Sequence, residues 1–346
     1  MHTEVFTVSA NPHRSAALTI RRGRAGSLGG WLMALIVGLA FGSCSDMGKG
    51  DSADDGDSTD SKGGDGSEAG DGSGAVETAD AGPPPLGLHS APEGGFRILF
   101  LDVGQGDAVV LISDTGETML IDGGRKQANL TARLHAAGIE RVDAILATHA
   151  DADHINGLTA ALEGYEVARV YWNGAEKDTQ VFSDFLAAAE DEGAEIVIAR
   201  RGDAVKLGSL ILEVLHPLAL SGHSNNDSLV VRTGCPGAIV MFTGDVEIDG
   251  EAEMIAADQL GDIDVLKVSH HGAASASSQA FLDAVTAETA IISAGFENAY
   301  GHPAEVVMDQ LNAAKTEIWK TDLGVGDDTV TMTTDCKGGY EVEYAY

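Results

Sequence analysis

Four side chains able to hold a divalent cation fall within six residues: His149, Asp151, Asp153 and His154, in the run T-H-A-D-A-D-H. Imidazole and carboxylate together suit zinc, manganese or iron. Further residues of the same chemistry recur downstream, in Thr243-Gly244-Asp245, Ser269-His270-His271-Gly272 and Tyr300-Gly301-His302-Pro303. The three cysteines, Cys44, Cys235 and Cys336, form no C-x-x-C pair, which argues against a cysteine zinc site. Cys235 and Cys336 either pair in an oxidising compartment or remain separate buried thiols.

Such residues do chemistry only if rigid elements bring them together. The apolar run 142–147 reads as a buried strand that delivers the first motif, and 155–158 as a helix opening. Asp245 ends an apolar strand over 237–243; as an alternative it caps a helix beginning after Val246. His270 and His271 end a strand over 263–269. His302 follows a strand over 290–294 and precedes a helix over 304–312, where Pro303 suits the first turn and an anion could bind. Strands are also expected over 96–103, 107–113, 118–121, 167–172, 195–199, 210–215 and 229–232, with helices over 130–137 and 181–192. Polar residues repeatedly placed at strand ends suit a site built from loops on an α/β scaffold.

Six motifs occur in one order: residues 100–108 (F-L-D-V-G-Q-G-D-A), Leu120-Ile121-Asp122-Gly123-Gly124, the T-H-A-D-A-D-H run, Thr243-Gly244-Asp245, Ser269-His270-His271-Gly272 and Tyr300-Gly301-His302-Pro303. In that arrangement residues 96–335 resemble the metallo-β-lactamase superfamily, and within it the hydrolase domain of the ComEC competence proteins. The resemblance implies a four-layer αββα sandwich with two divalent ions, zinc or manganese, at one edge of its sheets. His149 and Asp151 would hold one ion, Asp153 and His154 the other. Asp245 would bridge them and His270 would complete the second set, with His271 competing for that place. Asp122 would order the metal-binding loop from below. Asp153 and His302 would serve catalysis, moving a proton and facing substrate. Asp151 stands where histidine is commoner in the superfamily, and its carboxylate tilts the site towards manganese. In the region 222–228, His223 stands one residue from the offset of the superfamily's third-motif histidine; it is either incidental or a further ligand, with Asn226 or Asp227 as substitutes. His216 reads as structural.

Two divalent ions acidify a water and make hydroxide available near neutral pH. The resemblance therefore implies a hydrolase of phosphodiesters, with DNA among the substrates. The charge pulls the other way. The chain is at −33, and residues 96–346 alone hold 41 acids and 15 bases, so the domain repels a long polyanion. Small esters, lactones or lactams are thus the competing substrates. A metal-containing surface binding protein, or a DNA-uptake partner without turnover, is the reading of another class. Oligomeric state is left open.

Upstream the composition changes. Four arginines precede a 15-residue apolar stretch at 28–42, too short to span a bilayer, which takes about 20 residues. This is an export signal, and Phe41-Gly42-Ser43-Cys44 resembles a bacterial lipobox. Residues 1–44 are expected to be the signal, with Cys44 lipidated and the protein held to a membrane of the cell envelope; simple secretion is the alternative. Residues 45–92 are rich in Asp, Gly and Ser and cannot bury a core, so they are expected to be a disordered tether reaching roughly 40 Å. The domain then occupies 93–346.

Overall fold

The computed structural model describes residues 90–324 and 326–345. The expected signal, Cys44, and the linker as far as residue 89 lie outside the described residues. No helix among the described residues is long and apolar enough to cross a membrane.

The first part of the domain forms β1 (Phe96–Phe100), β2 (Val109–Ser113), β3 (Thr118–Ile121), α1 (Leu130–Ala136), β4 (Ala144–Ala147), α2 (Ala152–Gly164), β5 (Arg169–Trp172), α3 (Gln180–Glu192) and β6 (Glu195–Ile198). The second part forms β7 (Ala204–Leu207), β8 (Leu210–His216), β9 (Val230–Cys235), β10 (Ala238–Phe242), α4 (Ile248–Ala256), β11 (Val265–Lys267), α5 (Gln279–Val285), β12 (Thr289–Ile292), α6 (Glu305–Ala314) and β13 (Glu317–Lys320). Two last strands, β14 (Val330–Thr334) and β15 (Glu341–Tyr344), return to the first sheet. That sheet has the order β15-β14-β1-β2-β3-β4-β5-β6, and the second β13-β12-β11-β10-β9-β8-β7.

Alternation of side chains across each strand makes the layers. In β2, Val110 and Ile112 pack with α1, α2 and α3, whereas Val109 and Leu111 face the other sheet. In β10, Val240 and Phe242 join that central layer, while Met241 packs with α4, α5 and α6. Three apolar layers therefore separate four structural ones, the αββα sandwich that the resemblance implies. Both sheets are covered on both faces, so central strands such as β2 and β4 are apolar at nearly every position rather than alternating.

β3 and β4 run parallel, as do β10, β11 and β12. Their carboxyl ends carry Asp122, His149, Asp245, His270 and His271, and the loop holding His302. Leu229 N–H donates to Thr148 O at 2.8 Å, joining the two sheets beside these ends. Sequence reading missed β7, β13, β14 and β15 and the helix α5. Cys235 and Cys336 are bonded to one another, across 101 residues of chain.

Candidate metal centre

β4 ends at Ala147, and the chain turns through Thr148–Asp151 into α2. Asp122, at the end of β3, fixes that turn. Its Oδ1 accepts Thr148 N–H at 2.8 Å, and its Oδ2 accepts the Thr148 hydroxyl at 2.7 Å. The same Oδ2 lies 2.7 Å from His154 Nδ1, which leaves Nε2 of that ring facing inward. A carboxylate behind a histidine in this way sets its tautomer and ring orientation. His149 is placed by Thr148 and Ser228, whose hydroxyls lie 3.0 and 3.3 Å from its Nδ1. The 102–107 loop closes over the site because Gly106 has φ 135 and no side chain: a Cβ there would come within 2.3 Å of Asp153 O.

The donors converge. His149, His154 and Asp245 form one group whose ligand atoms lie within 4.8 Å of one another; Asp153, His154 and His271 form another, and Asp107, Asp245 and His271 a third. His154 Nε2 is 3.2 Å from Asp245 Oδ2, and His271 Nε2 is 3.4 Å from the same oxygen. The Nε2 atoms of His149, His154 and His271 and Oδ1 of Asp245 are buried without a hydrogen-bond partner. Buried polar atoms left unpaired and aimed at one another are what a divalent cation satisfies, so the residues fit the metal the resemblance implies.

The electrostatics reflect the crowding. Burial alone favours a neutral His271, but Asp245 and Asp107 outweigh it and push the ring up to about 9. Burial likewise opposes charge on His154, and Asp245 with Asp122 holds it well above the usual histidine range. His149 moves down, through burial and the neighbouring His154. Asp245 is driven well below the usual carboxylate range, since His154 and His271 overcome its burial.

The geometry corrects one expected order. His271, not His270, enters the donor groups. Both have left-handed backbone, φ 48 and 55, and this double turn breaks the strand's alternation and sends His271 inward. There its Nδ1 meets Ser293 O at 3.0 Å and Asp107 Oδ1 at 3.2 Å. His270 stays half-buried at the rim, its Nδ1 3.2 Å from Glu247 and its Nε2 3.6 Å from Asp245. The 222–228 segment contributes none of the donor groups. His223 is exposed. Asn226 Oδ1 accepts the N–H groups of Glu247 and Gly250 at 3.1 Å, at the start of α4. Asp227 accepts from Ser221 and Gly222. Asp151 is turned to Lys177 Nζ at 2.6 Å and to the Ser224 hydroxyl, with Oδ1 3.7 Å from His149 Nε2. His302 is half-buried, its ring 5.6 Å from that of His270 and 6.3 Å from that of His271.

Two participants, Lys267 and Lys177, escaped sequence reading, and a third, Asp107, stood in the 100–108 motif without a role. Asp107 and Lys267 form a buried ion pair behind His271, with Nζ 2.7 Å from Oδ2. The only signal for Lys267 was a charge inside an apolar strand. Lys177, beside Asp151, lies in a loop whose sequence carried none.

The family description "Metallo-beta-lactamase superfamily" matches residues 101–295, more than half of the chain. The chain belongs to the metallo-beta-lactamase superfamily. It is related to competence proteins. It is 34% identical over 248 residues to "ComE operon protein 3" of Bacillus subtilis (strain 168), covering 64% of this chain and 31% of that protein. It is 30% identical over 240 residues to "Competence protein ComA" of Neisseria gonorrhoeae, covering 68% and 32%. The chain thus spans about a third of the length of these superfamily relatives. Among solved structures, the metallo-beta-lactamase fold protein YhfI from Bacillus subtilis is similar at 11% identity and a TM-score of 0.46, covering 65% of this chain and 95% of that one.

Proposed function

We propose that this protein is an exported, lipid-anchored hydrolase that uses two divalent ions to cleave phosphodiesters. The observation that carries the substrate class is at the mouth of the centre. Arg125 Nη2 lies 3.6 Å from Asp153 Oδ2, and Lys177 Nζ lies 2.6 Å from Asp151 Oδ1. In a domain with so few bases, two cations therefore flank the two carboxylates of the first motif. Carboxylates drawn to metal would leave both cations to an anionic substrate, which a phosphodiester is and a neutral ester is not.

His149, His154, Asp245, Asp153 and His271 would hold the ions, with Asp151 joining from the side of Lys177. The ions supply Lewis acidity and an acidified water. The chain's own residues orient and exclude. Asp122 and Asp107 hold His154 and His271 from behind. His302 is kept below the usual histidine range by burial and by His271 and His270, so it is neutral near pH 7 and able to take or give a proton at the mouth. Asp153, with one face to Arg125, is the second group placed to move a proton.

Export is supported by the basic, apolar and small-residue order of 1–44, and by the Cys235–Cys336 bond, which persists in oxidising compartments. Cys44 would carry the lipid, placing the protein at a membrane of the cell envelope with DNA as one accessible substrate. The domain's acidity favours short strands or small diesters over duplex DNA.

The test is a substrate panel. Protein stripped with chelator and reloaded with manganese or zinc is assayed on bis(p-nitrophenyl) phosphate, p-nitrophenyl acetate and nitrocefin. Turnover of the diester ahead of the other two is expected. Turnover of nitrocefin or the acetate alone would move the assignment to lactams or esters.

A further inference from the structure

The loop between β12 and α6 presents two aromatic side chains to solvent beside the centre. Phe296 is 57% exposed and Tyr300 58%. Both are held. Asn298 braces the loop, donating to Gly295 O at 2.8 Å and His302 O at 2.5 Å and accepting from Tyr300 and His302 N–H at 3.2 and 3.1 Å. The Phe296 ring rests against Gly324, where a Cβ would approach it to 2.7 Å. Tyr300 accepts a hydrogen bond from Arg125 Nη2 at 2.8 Å, and that guanidinium sits 5.6 Å from the Tyr300 ring centroid. The Tyr300 ring also stacks with that of His302, 5.8 Å between centroids. Tyr300 thus links Arg125 to His302 at the mouth of the centre.

Beside it opens a pocket of about 530 Å³, lined by Arg125, Arg133, Gln105 and Phe296 together with the carboxylates of Asp102 and Asp328. Asp102 accepts from Gly104 N–H and lies 4.0 Å from Arg133, and Asp328 accepts from Gly324 N–H through Oδ2. The pocket is near neutral in a strongly acidic domain. Large apolar rings left in water need a reason, and here they lie next to an arginine already poised over one of them. Base–aromatic stacking beside a single cation binds a strand without a basic groove.

We propose that this pocket takes the nucleotide flanking the scissile bond of a single-stranded nucleic acid, with Phe296 against a base face and Arg125 on the adjacent phosphate. The inference rests on the phosphodiesterase reading and narrows its substrate. It also accounts for how so acidic a domain holds a polyanion: by ring stacking rather than by neutralising many phosphates.

The metal-loaded protein is assayed on a short oligodeoxythymidylate and on bis(p-nitrophenyl) phosphate, beside Phe296→Ala and Phe296→Tyr. Phe296→Ala is expected to raise KM for the strand about tenfold with kcat kept, and Phe296→Tyr to restore it. Equal KM in all three proteins overturns the subsite. So does wild-type protein that turns over the small diester but not the strand, a result that leaves the phosphodiesterase reading standing. Turnover of neither overturns that reading and the subsite with it.

Discussion

Lys267 Nζ lies 2.7 Å from Asp107 Oδ2, with both side chains shut away from solvent at the floor of the metal centre. Lys267 Nζ also donates to Val268 O at 3.0 Å. The other oxygen of Asp107 faces His271 Nδ1, so the pair fixes the back of a candidate ligand. Removing one partner of a buried pair strands the other charge. Lys267→Met is therefore expected to cost about 3–5 kcal/mol, read as a lowered urea midpoint. The double change Lys267→Met with Asp107→Leu should recover much of that stability while weakening metal binding, because His271 loses its support. Unchanged metal affinity in the double variant would contradict the positioning role.

The same cluster sets a pH dependence for the metal-free protein. His271 is raised to about 9 from an ordinary 6.5. Its contribution is fully present below about pH 6.5 and is lost as pH rises through 9. Asp107 is lowered to about 2 from 3.8, since Lys267 and His271 outweigh its burial. Its contribution is present above about pH 4 and is lost as pH falls through 2. Chelator-treated protein should thus show its highest urea midpoint near pH 5–6.5, falling by roughly 2–3 kcal/mol in stability by pH 9. A midpoint that stays level from pH 6 to 9 would contradict this.

The disulfide closes a loop of about 100 residues, linking the end of β9 in one sheet to the chain after β14 in the other. Cross-links over loops of that length stabilise by roughly 2–5 kcal/mol. Cys235→Ser with Cys336→Ser should lower the urea midpoint accordingly, and added reductant should have no further effect on that variant. Equal stability of the two proteins would show that the bond contributes nothing.

Much of the site was legible because its chemistry sits at strand ends. His149, Asp153, His154, Asp245 and Asp122 stood out as polar residues closing apolar runs, and the folded chain brings them together. What was hidden depends on packing. Lys267 is buried at the end of β11, and only the approach of Asp107, from the loop before β2 and 160 residues earlier in sequence, makes it tolerable. The choice between His270 and His271 turns on two left-handed residues, which no strand period encodes. The edge strands escaped for a plainer reason: β13 and β15 are half-exposed and carry charge, so their sequences lack a buried strand's signature. Phe296 and Tyr300 look like ordinary loop aromatics until Arg125 is seen beside them.

The most direct test compares wild-type protein with Asp245→Asn, each stripped and reloaded with manganese, for bound metal by mass spectrometry and for turnover of bis(p-nitrophenyl) phosphate. Asp245 touches both His154 and His271, so its loss should lower metal content and cut turnover by about 100-fold or more while the fold persists by circular dichroism. Diester cleavage at the wild-type rate in Asp245→Asn, or cleavage by wild-type protein that chelator does not abolish, would contradict a metal centre at this cluster.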